Sequence, residues 1–218
     1  MKNTNMKKAL VTLAAVALTV SSFAQGTLNW GNNFGSTQFR APIYGPEPGN
    51  VSLAKTGQST AVSFPLGSTV YSGGLLQGTG FTMALYFGPS GVTDPAGLTF
   101  VSSATFRTAA SQVAPAGMTF PAVVTLGGIL PGQTAKLQIR VWDNAGGTIT
   151  SFANAVTGAA SPLFLSGFLG GTDTSGNIFL TPNSIGWTSF NIYTIPEPGT
   201  FVLAGLGAAG LLIFRRRK

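Results

Sequence analysis

The chain has 218 residues, of which only 8% are charged, against roughly 25% in a typical soluble domain. Cysteine and histidine are both absent, which excludes disulfides, thiol nucleophiles, zinc sites of the usual type and histidine acid–base catalysis. The net charge is +7, but residues 25–195 hold five basic and four acidic side chains. Because that stretch is nearly neutral, it offers no basic surface for nucleic acid, and we expect no nucleic-acid partner.

The first 24 residues have the three-part pattern of a secretory signal peptide. Lysines occur within Met1–Lys8, an apolar segment of 12 residues follows at Ala9–Val20, and small residues lead to Ala24. The apolar segment is shorter than the roughly 17–25 residues that cross a bilayer, so a retained anchor is the weaker interpretation. We expect the secretion machinery to export the chain and signal peptidase to cleave between Ala24 and Gln25.

Residues 25–195 predict an all-β domain. Short segments rich in Val, Ile, Phe, Thr and Leu alternate with Gly, Pro, Asn and Asp, and no long stretch keeps an apolar period of 3.6. Two antiparallel sheets packed face to face, as an immunoglobulin-like or jelly-roll β-sandwich, are the simplest architecture. The predicted strands are Gly26–Trp30, Ala61–Phe64, Thr69–Tyr71, Phe81–Phe87, Leu98–Val101, Ala104–Arg107, Thr119–Leu126, Ala135–Trp142, Ile178–Thr181 and Trp187–Tyr193.

The strand Ala135–Trp142 alternates most clearly. Ala135, Leu137, Ile139 and Val141 point to one face, which we expect to be buried, and the residues between them point to the other, which we expect to be wet. Its approach, GGILPGQTAKLQIRV, matches GGLLQGTGFTMALYF at a constant offset of 54 residues. The match has two interpretations: a duplicated unit, or two strands of one sandwich that are entered through similar turns.

The ionisable residues of the domain do not assemble a catalytic site. Its four carboxylates all lie in turn sequences, and no Gly-x-Ser-x-Gly motif is present. The segment Asp173–Asn177 has the oxygen spacing of a calcium loop, but it lacks a distal glutamate, so a turn is the favoured interpretation. We expect no enzymatic activity, no cofactor and no metal. The carboxylates are Glu47, Asp94, Asp143 and Asp173.

Three residues on the predicted wet face of one strand are candidates for binding a glycan. Trp142 could stack on a sugar ring, while Arg140 and Lys136 could pair with an acidic polysaccharide. The alternative is that a loop or a second sheet covers Trp142. Trp30 and Trp187 are expected in the core.

The tail joins a short motif, an apolar run and a basic block. Pro196–Glu197–Pro198 is followed by a strongly apolar run of 14 residues at Phe201–Phe214 and then by Arg215, Arg216 and Arg217. A plain tail anchor is one interpretation, although the run is short for a permanent transmembrane helix. The arginines favour a cytoplasmic position for the tail end, with the domain outside.

These tail residues resemble a PEP-CTERM sorting signal. The resemblance implies that an exosortase, an intramembrane enzyme of Gram-negative bacteria that make extracellular polysaccharide, cleaves near the motif and that the protein is then released or attached outside. The domain also resembles small exported proteins of this group, through Tyr86–Phe87–Gly88–Pro89 and Val141–Trp142–Asp143, but that similarity implies no activity. An internal copy of the motif, Pro46–Glu47–Pro48–Gly49, lacks an apolar run and is expected to form a turn.

Two functions follow as hypotheses. The first is a structural surface or matrix protein, anchored transiently in the membrane and associated with extracellular polysaccharide in a biofilm. The second is a carbohydrate-binding or adhesive module that uses aromatic residues on a sheet face.

Overall fold

The computed structural model describes residues 25–35, 38–108 and 116–195. The predicted signal peptide, Met1–Ala24, and the predicted sorting signal, Pro196–Lys218, lie outside the described residues. Within those three ranges, no helix has the length and apolar character needed to cross a membrane. Short 3-10 turns occur at Pro95–Gly97, Ala145–Gly147 and Phe152–Asn154. The strands are β1 (Gly26–Trp30), β2 (Ile43–Tyr44), β3 (Phe81–Pro89), β4 (Thr99–Thr105), β5 (Ala122–Leu126), β6 (Ala135–Asp143), β7 (Thr157–Ala160), β8 (Phe164–Leu165), β9 (Gly171–Thr172), β10 (Ile178–Phe179), β11 (Phe190–Asn191) and β12 (Tyr193–Thr194).

The main sheet is built around two long strands, β3 and β6. They pair antiparallel over nine residues each, from Phe81 opposite Asp143 to Pro89 opposite Ala135. The strand order is β12-β7-β6-β3-β4, and β8 also pairs with β6. The two central strands supply most of the apolar face, because their alternating residues point to the same side of the sheet.

The apolar face of the main sheet forms the core with a layer of short ladders. Met83, Leu85 and Ile139 are fully buried, as are Leu28 of β1 and Ile43 of β2, and all five belong to one hydrophobic cluster. The ladders are β1 with β5, β9 with β10, and the parallel pair β2 with β11. The all-β prediction is confirmed, while the immunoglobulin-like or jelly-roll type stays a prediction.

The strands agree best with prediction where alternation is strong. The predicted strand Gly26–Trp30 is observed with the same bounds, and Trp30 and Trp187 are buried, as expected. The two strands predicted at Leu98–Val101 and Ala104–Arg107 are one strand, β4. Ala61–Phe64 and Thr69–Tyr71 contribute only isolated bridges, at Phe64 and Thr69. These two segments lie among Ser, Pro and Gly, which interrupt regular pairing.

The two matched segments are neighbours in the main sheet. Leu85 lies opposite Ile139, its equivalent at the 54-residue offset. Gly78 and Gly132, which are also equivalent, have φ angles of 76° and 77°, a conformation that favours glycine. The two segments thus enter neighbouring strands of one sheet through similar turns, as the second interpretation expects.

Truncation of Ile139 tests the importance of this strand pair. Ile139 is fully buried in the cluster, so Ile139→Ala should reduce the free energy of unfolding by about 2–5 kcal/mol. The control Leu180→Ala removes a side chain that is 87% exposed and should change it by less than about 0.5 kcal/mol. Urea unfolding followed by tryptophan fluorescence measures both, and equal effects would contradict the placement of the core.

Candidate functional site

The last described residues of the chain are held in the fold by hydrogen bonds on both sides. Tyr193 and Thr194 pair with Gly158 and Thr157 of β7. The Thr194 N–H donates to the Val51 carbonyl at 2.9 Å, and the Ile195 N–H donates to the Val156 carbonyl at 2.8 Å. Backbone hydrogen bonding to the fold therefore continues past β12 to Ile195.

Three of the four carboxylates stabilise their own turns. Asp94 accepts the Ala96 N–H at 2.9 Å, and Asp143 accepts the Ala145 N–H at 2.8 Å. Asp173 accepts three hydrogen bonds, from the Ser175 N–H and from both the backbone N–H and the side-chain amide of Asn177. The bonds from Asn177, with smaller backbone contributions, hold the pKa of Asp173 below its usual range. These contacts match the predicted turns.

The fourth carboxylate, Glu47, lies in the internal Pro-Glu-Pro copy and is only 5% exposed. The Lys55 ammonium donates to Glu47 Oε2 at 2.9 Å, and the Ser72 N–H donates to the same carboxylate. Burial would raise the pKa of Glu47, but the hydrogen bonds from Lys55 and Ser72 and the charge of Lys55 outweigh it and lower that pKa. The expected turn is present, and its carboxylate also anchors two other segments.

A pair of tyrosines packs beside this ion pair. The Tyr44 and Tyr71 rings stack with centroids 4.0 Å apart and planes 3° from parallel. The Tyr71 hydroxyl lies 2.7 Å from the Gly57 carbonyl oxygen and 2.8 Å from the Ser189 carbonyl oxygen. Burial, and secondarily the nearby Tyr44 and Glu47, raises the pKa of Tyr71, so its hydroxyl remains a neutral hydrogen-bonding group. The cluster is a structural junction between distant segments.

The glycan-binding candidate Trp142 is covered. It is 2% exposed, its indole N–H donates to the Ile149 carbonyl at 3.0 Å, and Phe152 packs edge-on with ring centroids 6.2 Å apart. Of the two interpretations of Trp142, the structure has the covered one, because the chain from 144 to 156 folds back over the end of β6. The ring has no free face for a sugar, whereas Lys136 and Arg140 on the same strand are half-exposed.

A different aromatic group lies on that outer face. The Arg140 guanidinium carbon is 3.9 Å from the centroid of the Tyr86 ring, and Tyr86 packs edge-on against Phe100 at 5.8 Å. Phe100 is 52% exposed. We call Tyr86, Phe100 and Arg140 the outer-face strip. Sequence reasoning missed Phe100, because its position beside Tyr86 depends on the pairing of β3 with β4.

Two surface cavities formed by described residues differ in their linings. One of about 380 Å³ is lined by residues without ionisable side chains, including Ile129, Gln133 and Phe168. Another of about 300 Å³ has Lys55 and Tyr193 in its lining. Across the described ranges, no three His, Cys, Asp or Glu residues come together where they could hold a metal ion.

A family model for the PEP-CTERM protein-sorting motif matches residues 194–218. The chain carries a PEP-CTERM sorting signal. The resemblance drawn from Pro196–Glu197–Pro198, the apolar run and the arginines is thereby confirmed. The match begins at Thr194, so the PEP-CTERM signal overlaps the last strand of the ordered domain. Neither the curated proteins nor the solved structures contain a match to the chain.

A PEP-CTERM signal implies processing by an exosortase and export with surface-directed sorting in Gram-negative bacteria. The residues predicted to form the sorting motif, Pro196, Glu197, Pro198 and Arg215–Arg217, lie outside the described residues, as does Ala24 at the predicted signal-peptide cleavage. Gln25, on the other side of that bond, is described and exposed. It directly precedes β1, so cleavage there would leave the domain intact.

The buried ion pair predicts a dependence of stability on pH. The pKa of Glu47 in the folded domain lies below its usual value of 4.5. Its contribution to stability is therefore present above the unfolded-state pKa and is lost as pH falls through the folded-state pKa. Chemical unfolding of wild type and Glu47→Gln as a function of pH should show a steeper loss of stability at acidic pH in the wild type. Asp173 is common to both proteins, so parallel curves would contradict a role for Glu47.

Proposed function

We propose that the protein is an exported structural protein of the cell surface or extracellular matrix, associated with extracellular polysaccharide, and that its domain is a β-sandwich scaffold. The observation that carries the proposal is the direct junction between fold and sorting signal, where Ile195 is still hydrogen-bonded to Val156 and the motif starts at the next residue. The domain is thus delivered as a rigid unit.

The polar chemistry of the domain supports a structural role. Its carboxylates are engaged in turns or, for Glu47, in a buried ion pair with Lys55. Each of these groups is already committed to holding the backbone, which favours a scaffold over an enzyme. A low content of charge and a high content of turns are compatible with packing among neutral polymers.

The proposed route to the surface depends on the predicted signal peptide and on the C-terminal sorting signal. Signal peptidase would cut between Ala24 and Gln25 after export, and the run Phe201–Phe214 would hold the precursor in the membrane. The arginines would remain on the cytoplasmic side. Exosortase cleavage near Pro196–Glu197–Pro198 would then free the domain from its anchor. The domain ends up at the surface or in the surrounding matrix.

A carbohydrate-binding or adhesive function is the second candidate, and the outer-face strip favours it. The exposed Phe100 ring and the partly exposed Tyr86 ring lie beside Arg140, and aromatic faces next to a guanidinium suit an acidic sugar. Lys136 adds a second positive charge to the same strand. Under this proposal Trp142, which lies on the same face of β6 but is covered by Phe152, does not touch the glycan.

Processing of the tail is tested by two matched glutamate variants in the native host. Intact-mass analysis of the wild type should show an N-terminus at Gln25 and loss of the segment that contains Arg215–Lys218. Glu197→Gln should leave the full tail on protein in the membrane fraction, because the motif carries the recognition. Glu47→Gln changes the glutamate of the internal Pro-Glu-Pro copy and should leave processing unchanged.

A wild-type protein that keeps Arg215–Lys218 in a host with an active exosortase would contradict exosortase processing. Normal processing of both glutamate variants would show that recognition does not depend on the glutamate of the motif.

Binding of acidic polysaccharide by the purified protein tests the second function. Phe100→Ala should weaken binding by roughly 5–150-fold if the ring stacks on a sugar, from the 1–3 kcal/mol that stacking contributes elsewhere. Phe168→Ala removes another strongly exposed phenylalanine, away from Arg140, and is the matched control. Undetectable binding of the wild type to acidic and neutral glycans would favour the purely structural role, and equal losses in both variants would contradict a site at the strip.

A further inference from the structure

The surface around the end of β12 presents three exposed aliphatic side chains. Val51 and Val156 are 51% and 52% exposed, and Leu53 is 42% exposed. We call these three residues the exit surface. The neighbouring segments 48–54 and 151–157 contain no charged residue. Apolar side chains are thus presented to solvent at the place where the chain leaves the domain.

Hydrogen bonds fix the exit surface to the strand that it surrounds. Val51 accepts from the Thr194 N–H, and Val156 accepts from the Ile195 N–H, so the two valines flank consecutive residues of the chain. The Leu53 carbonyl accepts from the Asn191 side-chain amide at 2.9 Å. Wherever Ile195 is held, the exit surface is held beside it.

The sequence after Ile195 limits how far the exit surface can be from a membrane. The strongly apolar run begins at Phe201, six residues further on, and six residues span at most about 20 Å. The polar region on one side of a bilayer is roughly 5–8 Å thick. While the run is embedded, the domain therefore stands within about 15 Å of the lipid headgroups, even if the linking residues are fully extended.

We propose that the exit surface rests on the lipid headgroup region of the outer leaflet while the precursor is anchored. This inference depends on the proposed membrane anchorage of the tail. Exposed aliphatic side chains fit the interface of a bilayer, where their burial is favourable, and the charges of the adjacent Lys55 and Glu47 are paired with each other. The contact orients the domain and places Pro196–Glu197–Pro198 at membrane depth, where an intramembrane enzyme can reach it.

The absence of native cysteine allows single labels to test this orientation. The full chain carrying Val51→Cys or Val156→Cys is labelled with an environment-sensitive fluorophore and reconstituted in vesicles of phosphatidylethanolamine and phosphatidylglycerol that contain headgroup spin-labelled lipid. Leu180→Cys is the control, because Leu180 is also aliphatic and exposed. Leu180 also lies far from the exit surface. Its neighbour Phe179 contacts Gly132, shortly before the start of β6, whereas Gly158, two residues after Val156, pairs with Trp142 near the other end of β6. The two ends of this strand are roughly 25 Å apart.

Quenching should be several-fold stronger at positions 51 and 156 than at position 180. Equal quenching at the three positions, or none at 51 and 156, would overturn the lipid contact. Quenching at positions 51 and 156, or their protection from labelling, could occur only when the vesicles contain exosortase. That result would show that the exit surface contacts a protein and not lipid, and it would also overturn the proposal. Fluorescence of the buried tryptophans checks folding, and Ser52→Cys is the substitute position if Val51→Cys does not fold.

Flotation of the same vesicles separates this inference from the anchorage on which it depends. Protein that floats with the vesicles but is not quenched at 51 and 156 is anchored without the contact, so only the exit-surface proposal fails. Protein that does not float shows that the tail does not anchor the chain, and both proposals then fail.

Discussion

The antiparallel pairing of β3 with β6 is the constraint on which the other elements depend. Nine consecutive residue pairs fix which side chains of both strands face inward, so Met83, Leu85 and Ile139 meet the short ladders of the second layer. A shift of one residue would turn these side chains to the outer face and bring polar ones into the core. The same register brings Tyr86 close to Arg140 on the outside. Core and outer surface are therefore set together by one pair of strands.

The two Pro-Glu-Pro segments show how context decides the role of a short motif. In the domain, the Glu47 carboxylate is buried against Lys55 and the Ser72 N–H, and its environment lowers its pKa. Proline on either side restricts the backbone and presents the glutamate in a fixed direction. The internal copy uses that rigidity to hold a fold, while the C-terminal copy belongs to a sorting signal.

The parts of the structure that were predictable from the sequence are those with a local signal. Alternation located β1, β3 and β6, and the order of motif, apolar run and arginines located the sorting signal. The short strands β2, β7, β8 and β9 were missed, because segments of two to four residues are too short to show a clear period. The burial of Trp142 depends on Phe152, which a turn brings back over the strand. Periodicity along a strand indicates its two faces, but it does not show what covers them.

The second layer joins residues that are far apart in the sequence. Ile43 of β2 pairs with Phe190 of β11, and Val51 binds the chain at Thr194. Such long-range pairs form slowly, because the intervening chain must first be brought together. On the proposed export route, in which the N-terminus crosses the membrane first, β2 emerges early and β11 and β12 emerge last. On that route the core closes only when the final strands have emerged and the apolar run of the sorting signal has reached the membrane, so folding and arrival at the membrane coincide.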